Sequence, residues 1–186
     1  HVACFGDASG EVALTVNGGG GSPYDFLWVA TGTGDLAGNP VDAQNLTGLI
    51  AGGYDVTITD SRNCVLNPPP PSTSATITEP AAALNVSLAD PLTHVQCNPE
   101  ATGAINITAA DGTPIYTYNW VASAGGALGI NDVDFEDLTD LVAGDYEVTV
   151  TDAEGCTEVL LSTILQPAAP LAAVSIIVDI ACNASN

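Results

Sequence analysis

The segment LTGLIAGGYDVTITDSRNC at residues 46–64 is the most informative part of this chain, because it returns as LTDLVAGDYEVTVTDAEGC at residues 138–156. Eleven of the nineteen aligned positions are identical, far more than two unrelated segments share by chance. Self-similarity at a fixed shift, here 92 residues, is typical of tandem repeats. The chain is therefore predicted to contain copies of one structural unit.

The similarity extends outward from this stretch in both directions. At nearly the same shift, HVAC at residues 1–4 falls on HVQC at residues 94–97. Three aromatic positions also match: Tyr24, Phe26 and Trp28 fall on Tyr116, Tyr118 and Trp120. We assign residues 1–80 to unit 1, which lacks its first strand, residues 81–167 to a complete unit 2, and residues 168–186 to the opening strand of a third unit. This frame predicts a longer array.

Within each unit the apolar residues alternate with a period of two, as in Tyr146, Val148 and Val150, which is typical of half-buried β-strands. Clusters of Gly and Pro separate about seven such strands in roughly 90 residues, with a Trp on a central strand. The predicted fold class is all-β, with tandem immunoglobulin-like sandwiches. The alternative to the immunoglobulin-like sandwich is a β-barrel. The Leu-x-Ala-Gly-x-Tyr pattern that contains Tyr54 and Tyr146 predicts a tyrosine corner.

The charge of the chain excludes several classes of partner. Lys plus Arg number 1 and Asp plus Glu number 22, so the formal net charge is −21. Nucleic-acid binding needs clustered basic side chains, and an anionic membrane surface would repel this protein. Hydrophobic residues still make up 46% of the chain, enough to bury cores. The apolar stretch from Leu171 to Ala181 is too short to cross a bilayer, so no membrane insertion is expected.

Four of the five cysteines occupy matching places in the two units. We predict disulfides within units, from Cys4 to Cys64 and from Cys97 to Cys156, with the partner of Cys182 in the third unit. Each bond would stabilise its unit by about 4 kcal/mol. The alternative is a metal site that uses the HVxC segments, but two ligands in each unit fall short of the four of structural zinc. Disulfides would place the protein in an oxidising, extracellular compartment.

The two segments Gly21–Cys64 and Gly112–Cys156 share the pattern Gly-x-Pro, then Tyr-x-Tyr/Phe-x-Trp, then Leu-x-Ala-Gly-x-Tyr-x-Val-Thr-x-Thr-Asp and a closing Cys. This pattern resembles the SprB-type repeats of gliding-motility surface adhesins. The resemblance implies a very long protein, exported to the cell surface by type IX secretion, whose filaments contact the substratum or polysaccharides. Unit 1 departs from the family's pattern at Asn63, where these repeats usually have Gly before the closing Cys, and in the insert Pro68–Pro71. Neither change alters the predicted fold.

No catalytic site is predicted, because a nucleophile needs a nearby base and the two His residues occupy duplicated positions. The protein is therefore not expected to be an enzyme. No cofactor is expected apart from calcium, for which Asp132, Asp134 and Glu136 are candidates on one side of an extended segment. The alternative function is a carbohydrate-binding module with Trp28 or Trp120 as a stacking platform, although both are predicted to be core residues.

The main functional hypothesis is a structural and adhesive repeat segment of a long secreted filament. Its expected partners are neighbouring repeats or subunits of the same protein and surface polysaccharide. Because unit 1 lacks its first strand, an open sheet edge is expected there. Either the preceding stretch of a longer chain or the segment Leu171–Ile180 of a neighbouring subunit is expected to cover that edge.

Overall fold

The computed structural model describes residues 1–66 and 74–175, and all regular elements in those ranges are β-strands. In unit 1 they are β1 (Gly10–Val12), β2 (Asp25–Thr31), β3 (Leu46–Leu49), β4 (Gly52–Thr59), β5 (Val65–Leu66) and β6 (Ser74–Ile77). In unit 2 they are β7 (Asn85–Leu88), β8 (Gly103–Ile105), β9 (Ile107–Ala110), β10 (Thr117–Ser123), β11 (Leu138–Leu141), β12 (Gly144–Thr151) and β13 (Thr157–Ile164).

Unit 2 is a sandwich of two antiparallel sheets. One sheet has the order β10-β12-β13, with Trp120 opposite Val148. In the other layer β7 pairs with β9 and β8 pairs with β11. Since only Asn106 separates β8 from β9, the two act as one interrupted strand between β7 and β11. This is the two-sheet arrangement of an immunoglobulin-like domain, so the predicted fold class is confirmed.

Unit 1 repeats this plan with a difference at one edge. β4 pairs with β2 on one side and with β5 and β6 on the other, and β1 pairs with β3. No strand in the described ranges is a counterpart of β7, and residues 14–17, which match β9, are not in a strand. The insert Pro68–Pro71 and Cys182 lie outside the described residues, as does most of the predicted opening strand of a third unit. Its described part, residues 168–175, is exposed and not in a strand.

Each unit has its own hydrophobic core, built from the alternating positions of its strands. Trp28 and Trp120 lie at the centres of the two clusters and are only 2% exposed. Each indole N–H donates to a backbone carbonyl 2.8 Å away, that of Ala43 or of Phe135. A buried Trp needs such a partner for its polar N–H. The prediction that both Trp side chains are core residues is confirmed.

The repeated Leu-x-Ala-Gly-x-Tyr pattern forms a tyrosine corner at the start of β4 and of β12, as predicted. The hydroxyl of Tyr54 donates to the carbonyl of Ile50, and that of Tyr146 to the carbonyl of Val142, both at 2.8 Å. Gly144 allows the preceding loop to approach this corner. A Cβ atom there would lie 2.0 Å from the backbone nitrogen of Gly126, so no larger residue fits without moving the loop.

Candidate functional site: the junction between the repeats

The two cysteines of a unit lie at opposite ends of its sandwich. Cys156 directly precedes β13, at what we call the head end of unit 2. Where β13 finishes, the backbone N–H of Val95 donates to the carbonyl of Leu165 at 2.9 Å, and Cys97 follows at this tail end. The eight residues of β13 span about 26 Å at 3.3 Å per residue. Unit 1 is built in the same way, with Cys64 at its head end and Cys4 at its tail end.

The tail end of unit 1 meets the head end of unit 2, and a disulfide joins them. The bond links Cys4 to Cys156 across 152 residues of sequence, with their Cα atoms 5.6 Å apart. A second contact joins the same two ends, because the Nε2 atom of His1 lies 3.4 Å from a carboxylate oxygen of Glu154. The junction is thus a covalent staple with a polar contact beside it.

The predicted disulfides within units are therefore wrong. Cys4 pairs with Cys156, while Cys64 and Cys97 are exposed thiols that form no disulfide with any described residue. The reason is geometric: a disulfide requires Cα atoms within about 7 Å, and the length of the last strand separates the two cysteines of one unit. The repeat places compatible cysteines next to each other only where one unit ends and the next begins.

The turn that presents the head-end cysteine is organised by an aspartate that the sequence prediction did not single out. In unit 2 a carboxylate oxygen of Asp152 accepts from the backbone N–H of Cys156 at 2.9 Å, and its other oxygen accepts from Thr113 at 2.8 Å. In unit 1 Asp60 accepts from Cys64 at 2.9 Å and from Gly20. The repeated spacing Asp-x-x-x-Cys was the available signal, since Asp commonly accepts backbone N–H groups two to four residues ahead.

These hydrogen bonds favour the ionised form of both carboxylates. For Asp60, the backbone N–H groups of Gly20, Cys64 and Arg62 hold the pKa below its ordinary value of 3.8. For Asp152, burial is the largest effect and raises the pKa, but the backbone N–H groups around it together outweigh burial, so the pKa is again lowered. The head-end turn is consequently held by a charged acceptor at neutral pH.

The chain that enters unit 2 packs against this same turn. Leu84 is 7% exposed, and its Cβ lies 3.1 Å from the position that a Cβ on Gly112 would occupy. The backbone N–H of Gly112 donates to the carbonyl of Ala82 at 3.2 Å. Cys4 and Phe5 of unit 1 line the same depression as Leu84 and Cys156. The junction therefore combines the staple, the incoming strand and the tail loop of the preceding unit.

The calcium candidates predicted from the sequence lie in the segment before β11. Asp132, Asp134 and Glu136 are exposed in the segment that precedes β11. The described ranges contain no group of three or more His, Cys, Asp or Glu side chains placed to hold a metal ion. Calcium binding at these carboxylates stays a prediction. Glu136 has a local role, since burial and a hydrogen bond to its carboxylate raise the pKa of Tyr118 to about 12.

Two antiparallel sheets in each unit, a tyrosine corner and a stapled junction define the chain as tandem immunoglobulin-like repeats. Residues 90–125, which begin just after β7 and end just after β10, match the SprB repeat family. The resemblance seen in the sequence is therefore confirmed for this segment. The comparison with curated proteins found no match.

Among solved structures, extracellular domains 3–5 of Drosophila OTK are similar with a TM-score of 0.41 and 13% identity. The match covers 77% of this chain and 52% of that one, so the chain corresponds to about half of that structure. No helix in residues 1–66 or 74–175 is long and apolar enough to cross a membrane.

Proposed function

We infer that this chain is a structural and adhesive repeat segment of a long secreted cell-surface filament, and that it is not an enzyme. The observation that carries this proposal is the disulfide between Cys4 and Cys156, which fixes consecutive units to each other rather than stabilising either unit alone. A bond in that position has its mechanical effect at the junction, where a flexible linker would otherwise let the units swing. Stiff junctions serve a protein that carries binding surfaces away from a cell.

The proposed location outside the cell has two supports. Disulfides form and persist in oxidising compartments, and the SprB repeat match at residues 90–125 belongs to a family found in surface adhesins. The net charge of −21 is suited to such a place, because self-repulsion keeps a long β-rich protein soluble. Export by type IX secretion, gliding motility and contact with surface polysaccharide are the finer parts of the proposal, and they follow from the resemblance.

The alternative of a carbohydrate-binding module with tryptophan platforms loses its main support. A stacking platform must present the face of its ring to solvent, whereas Trp28 and Trp120 are each 2% exposed. Their indole N–H groups are also already bonded to backbone carbonyls. Any polysaccharide contact is therefore assigned to exposed loops rather than to these two rings.

Small-angle X-ray scattering tests the stiff junction. The wild-type chain is expected to fit one extended arrangement of its two units. The double variant Cys4→Ser/Cys156→Ser should require a broader set of arrangements, because the staple is gone while both cores remain. The matched control is Cys64→Ser/Cys97→Ser, which keeps the Cys4–Cys156 staple and, when the monomer fractions are compared, should scatter like the wild type. A wild-type protein as variable as the Cys4→Ser/Cys156→Ser variant would overturn the proposal.

The surface location needs its own experiment. Antibodies raised against the folded chain should label intact cells of the source organism, and immunogold electron microscopy should place the label on filaments outside the envelope. Label that appears only after the cells are broken open would contradict the extracellular assignment.

A further inference from the structure

The tail end of unit 2 has the same local contacts as the tail end of unit 1, which supplies Cys4 to the junction. At the tail end of unit 2, the N–H of Val95 donates to the carbonyl of Leu165 at 2.9 Å, just as Val2 donates to Thr78 at 2.7 Å in unit 1. Cys97 follows Val95 by two residues, as Cys4 follows Val2. Cys97 is exposed, and it lies beside the outgoing residues 167–172. This end therefore repeats the half of the junction that supplies Cys4.

The head end of unit 1 repeats the other half. Asp60 holds the backbone N–H of Cys64 at 2.9 Å, as Asp152 holds that of Cys156 at the same distance. Cys64 is exposed, whereas Cys156, which is bonded to Cys4, is partly buried. The two exposed thiols cannot meet within one copy, since they lie at opposite ends of the two stapled units.

Unit 1 also has an open groove where unit 2 holds its incoming strand. The groove has a volume of about 210 Å³, and its lining includes Val16, Tyr24, Ile58 and Cys64. In unit 2 the counterpart strand β9 pairs with β7, and Val86 of β7 is 7% exposed. Residues 14–17 pair with no strand among the described residues. In unit 2 the strand β7 therefore fills the place that corresponds to the groove of unit 1.

We propose that the tail end of a second copy of this chain docks on the head end of unit 1, with Cys97 of the second copy bonded to Cys64. Residues 171–175 of that second copy add as a strand beside residues 14–17, with Leu171 where Leu84 lies in unit 2. Leu171 and Val174 are 104% and 88% exposed and are available for this. The inference deepens the proposed function by naming what joins successive segments, and it rests on that function only for the existence of an array.

The bond forms by oxidation of two thiols. Each thiol loses one hydrogen, and a disulfide oxidant such as oxidised glutathione takes up the two electrons and two protons and leaves as two reduced molecules. Docking brings the two sulfur atoms together first, so the pairing is directed by the groove rather than by collision. Because both copies are strongly acidic, the reaction is expected to need an ionic strength near 0.15 M, where charge repulsion is screened beyond about 8 Å.

Complementation between cysteine variants tests the pairing. All proteins carry Cys182→Ser so that a third thiol is absent, and each is incubated in a glutathione redox buffer and run on a non-reducing gel. The parent should form a ladder of linked oligomers. Cys64→Ser alone and Cys97→Ser alone should each stay monomeric, because each lacks one half of the junction. Mixed together, the two variants should give a linked dimer and nothing larger.

The mixture also defines the results that would overturn the proposal. No dimer in the mixture, or a dimer from either variant alone, would reject pairing of Cys64 with Cys97, since the second outcome means that like cysteines react. Tryptophan fluorescence should be the same for all variants, because both positions are exposed whereas Trp28 and Trp120 are buried. The scattering test of the stiff Cys4–Cys156 junction does not depend on these results, so failure here and failure of the proposed function can be told apart.

A peptide competitor tests the strand addition separately. A synthetic peptide with the sequence of residues 82–90, AALNVSLAD, should occupy the groove of unit 1 and reduce dimer formation in the mixture at least tenfold when saturating. The control peptide carries Leu84→Asn and Val86→Asn, which removes the two side chains that are buried in unit 2, and should have no effect. Equal inhibition by both peptides, or by neither, would reject the groove as the docking site.

Discussion

Removal of the hydroxyl group in the tyrosine corner, by Tyr146→Phe, should destabilise unit 2 by about 2 kcal/mol. The hydroxyl donates to the carbonyl of Val142 at 2.8 Å and accepts from the N–H of Ala127 at 3.2 Å. Tyr146 is fully buried, so water cannot take the place of the lost oxygen. Two backbone groups are then left without a partner, and each costs about 1 kcal/mol or more. The aromatic ring and its packing are unchanged.

Urea unfolding followed by tryptophan fluorescence measures this effect. Trp120 lies in the same core as Tyr146 and reports on unit 2, while Trp28 reports on unit 1. With a denaturant slope of about 2 kcal/mol per molar urea, the unit 2 midpoint should fall by about 1 M. Tyr54→Phe should have the same effect on unit 1, because its hydroxyl bonds to Ile50 and Asp35 in the same geometry.

Tyr116→Phe is the matched control for the tyrosine corner. It also removes one hydroxyl, which donates to the carbonyl of Asp111 at 2.7 Å, but in an exposed position where water can substitute. Its effect should stay within about 0.5 kcal/mol. If Tyr146→Phe were no more destabilising than Tyr116→Phe, the corner would not be a structural element of the repeat and the reasoning would be refuted.

Three further perturbations have defined outcomes. Gly144→Ala should destabilise unit 2 by about 3 kcal/mol in urea unfolding, because the added Cβ meets the nitrogen of Gly126 at 2.0 Å; an unchanged midpoint would contradict this. Stability should fall as the pH rises from 10 towards 12, since the pKa of Tyr118 is about 12 in the folded protein and near 10 in the unfolded protein. Glu136→Gln should lower the pKa of Tyr118 in an ultraviolet titration. An unchanged pKa of Tyr118 would exclude its hydrogen bond with Glu136. Stability should also fall below about pH 4, because the pKa of Asp152 is lower in the folded than in the unfolded protein. The ionised Asp152 therefore stabilises the fold above its unfolded pKa, and this stabilisation is lost as the pH drops through its folded pKa. Asp152→Asn should weaken this pH dependence, and an acid profile identical to that of the wild type would contradict it.

The fold of each unit was predictable because its signals are local. Period-two alternation identifies the strands around Trp120 and Val148, and the repeated Leu-x-Ala-Gly-x-Tyr pattern identifies the corner, since each pattern reflects contacts within a few residues or across one pair of strands. The need for a glycine at position 144 was not predictable in the same way. It depends on the approach of a loop about twenty residues earlier, which only the folded chain reveals.

The disulfide partners were missed for a different reason. Repetition indicates which cysteines are equivalent, but equivalence does not state which of them are neighbours. In unit 2 Cys97 precedes β8, the second strand, and Cys156 precedes β13, the last strand, so the direction of the strands places the two cysteines at opposite ends. The order of the strands along the chain already contained this information. Applied to two units in succession, it favours a bond between Cys4 and Cys156 over a bond within either unit.

Peptide mapping without reduction tests most directly the claim that a disulfide staples successive repeats. Cleavage after Asp and Glu releases residues 1–7 with Cys4, residues 155–158 with Cys156, and residues 61–100 with both Cys64 and Cys97, because Pro80 and Pro91 protect the acidic residues before them. For the monomeric chain, with thiols blocked before digestion, the account predicts a linked species of 1–7 with 155–158, and blocked thiols at both cysteines of 61–100. Peptides 1–7 and 155–158 each linked to 61–100 would instead contradict the staple and restore disulfides within units.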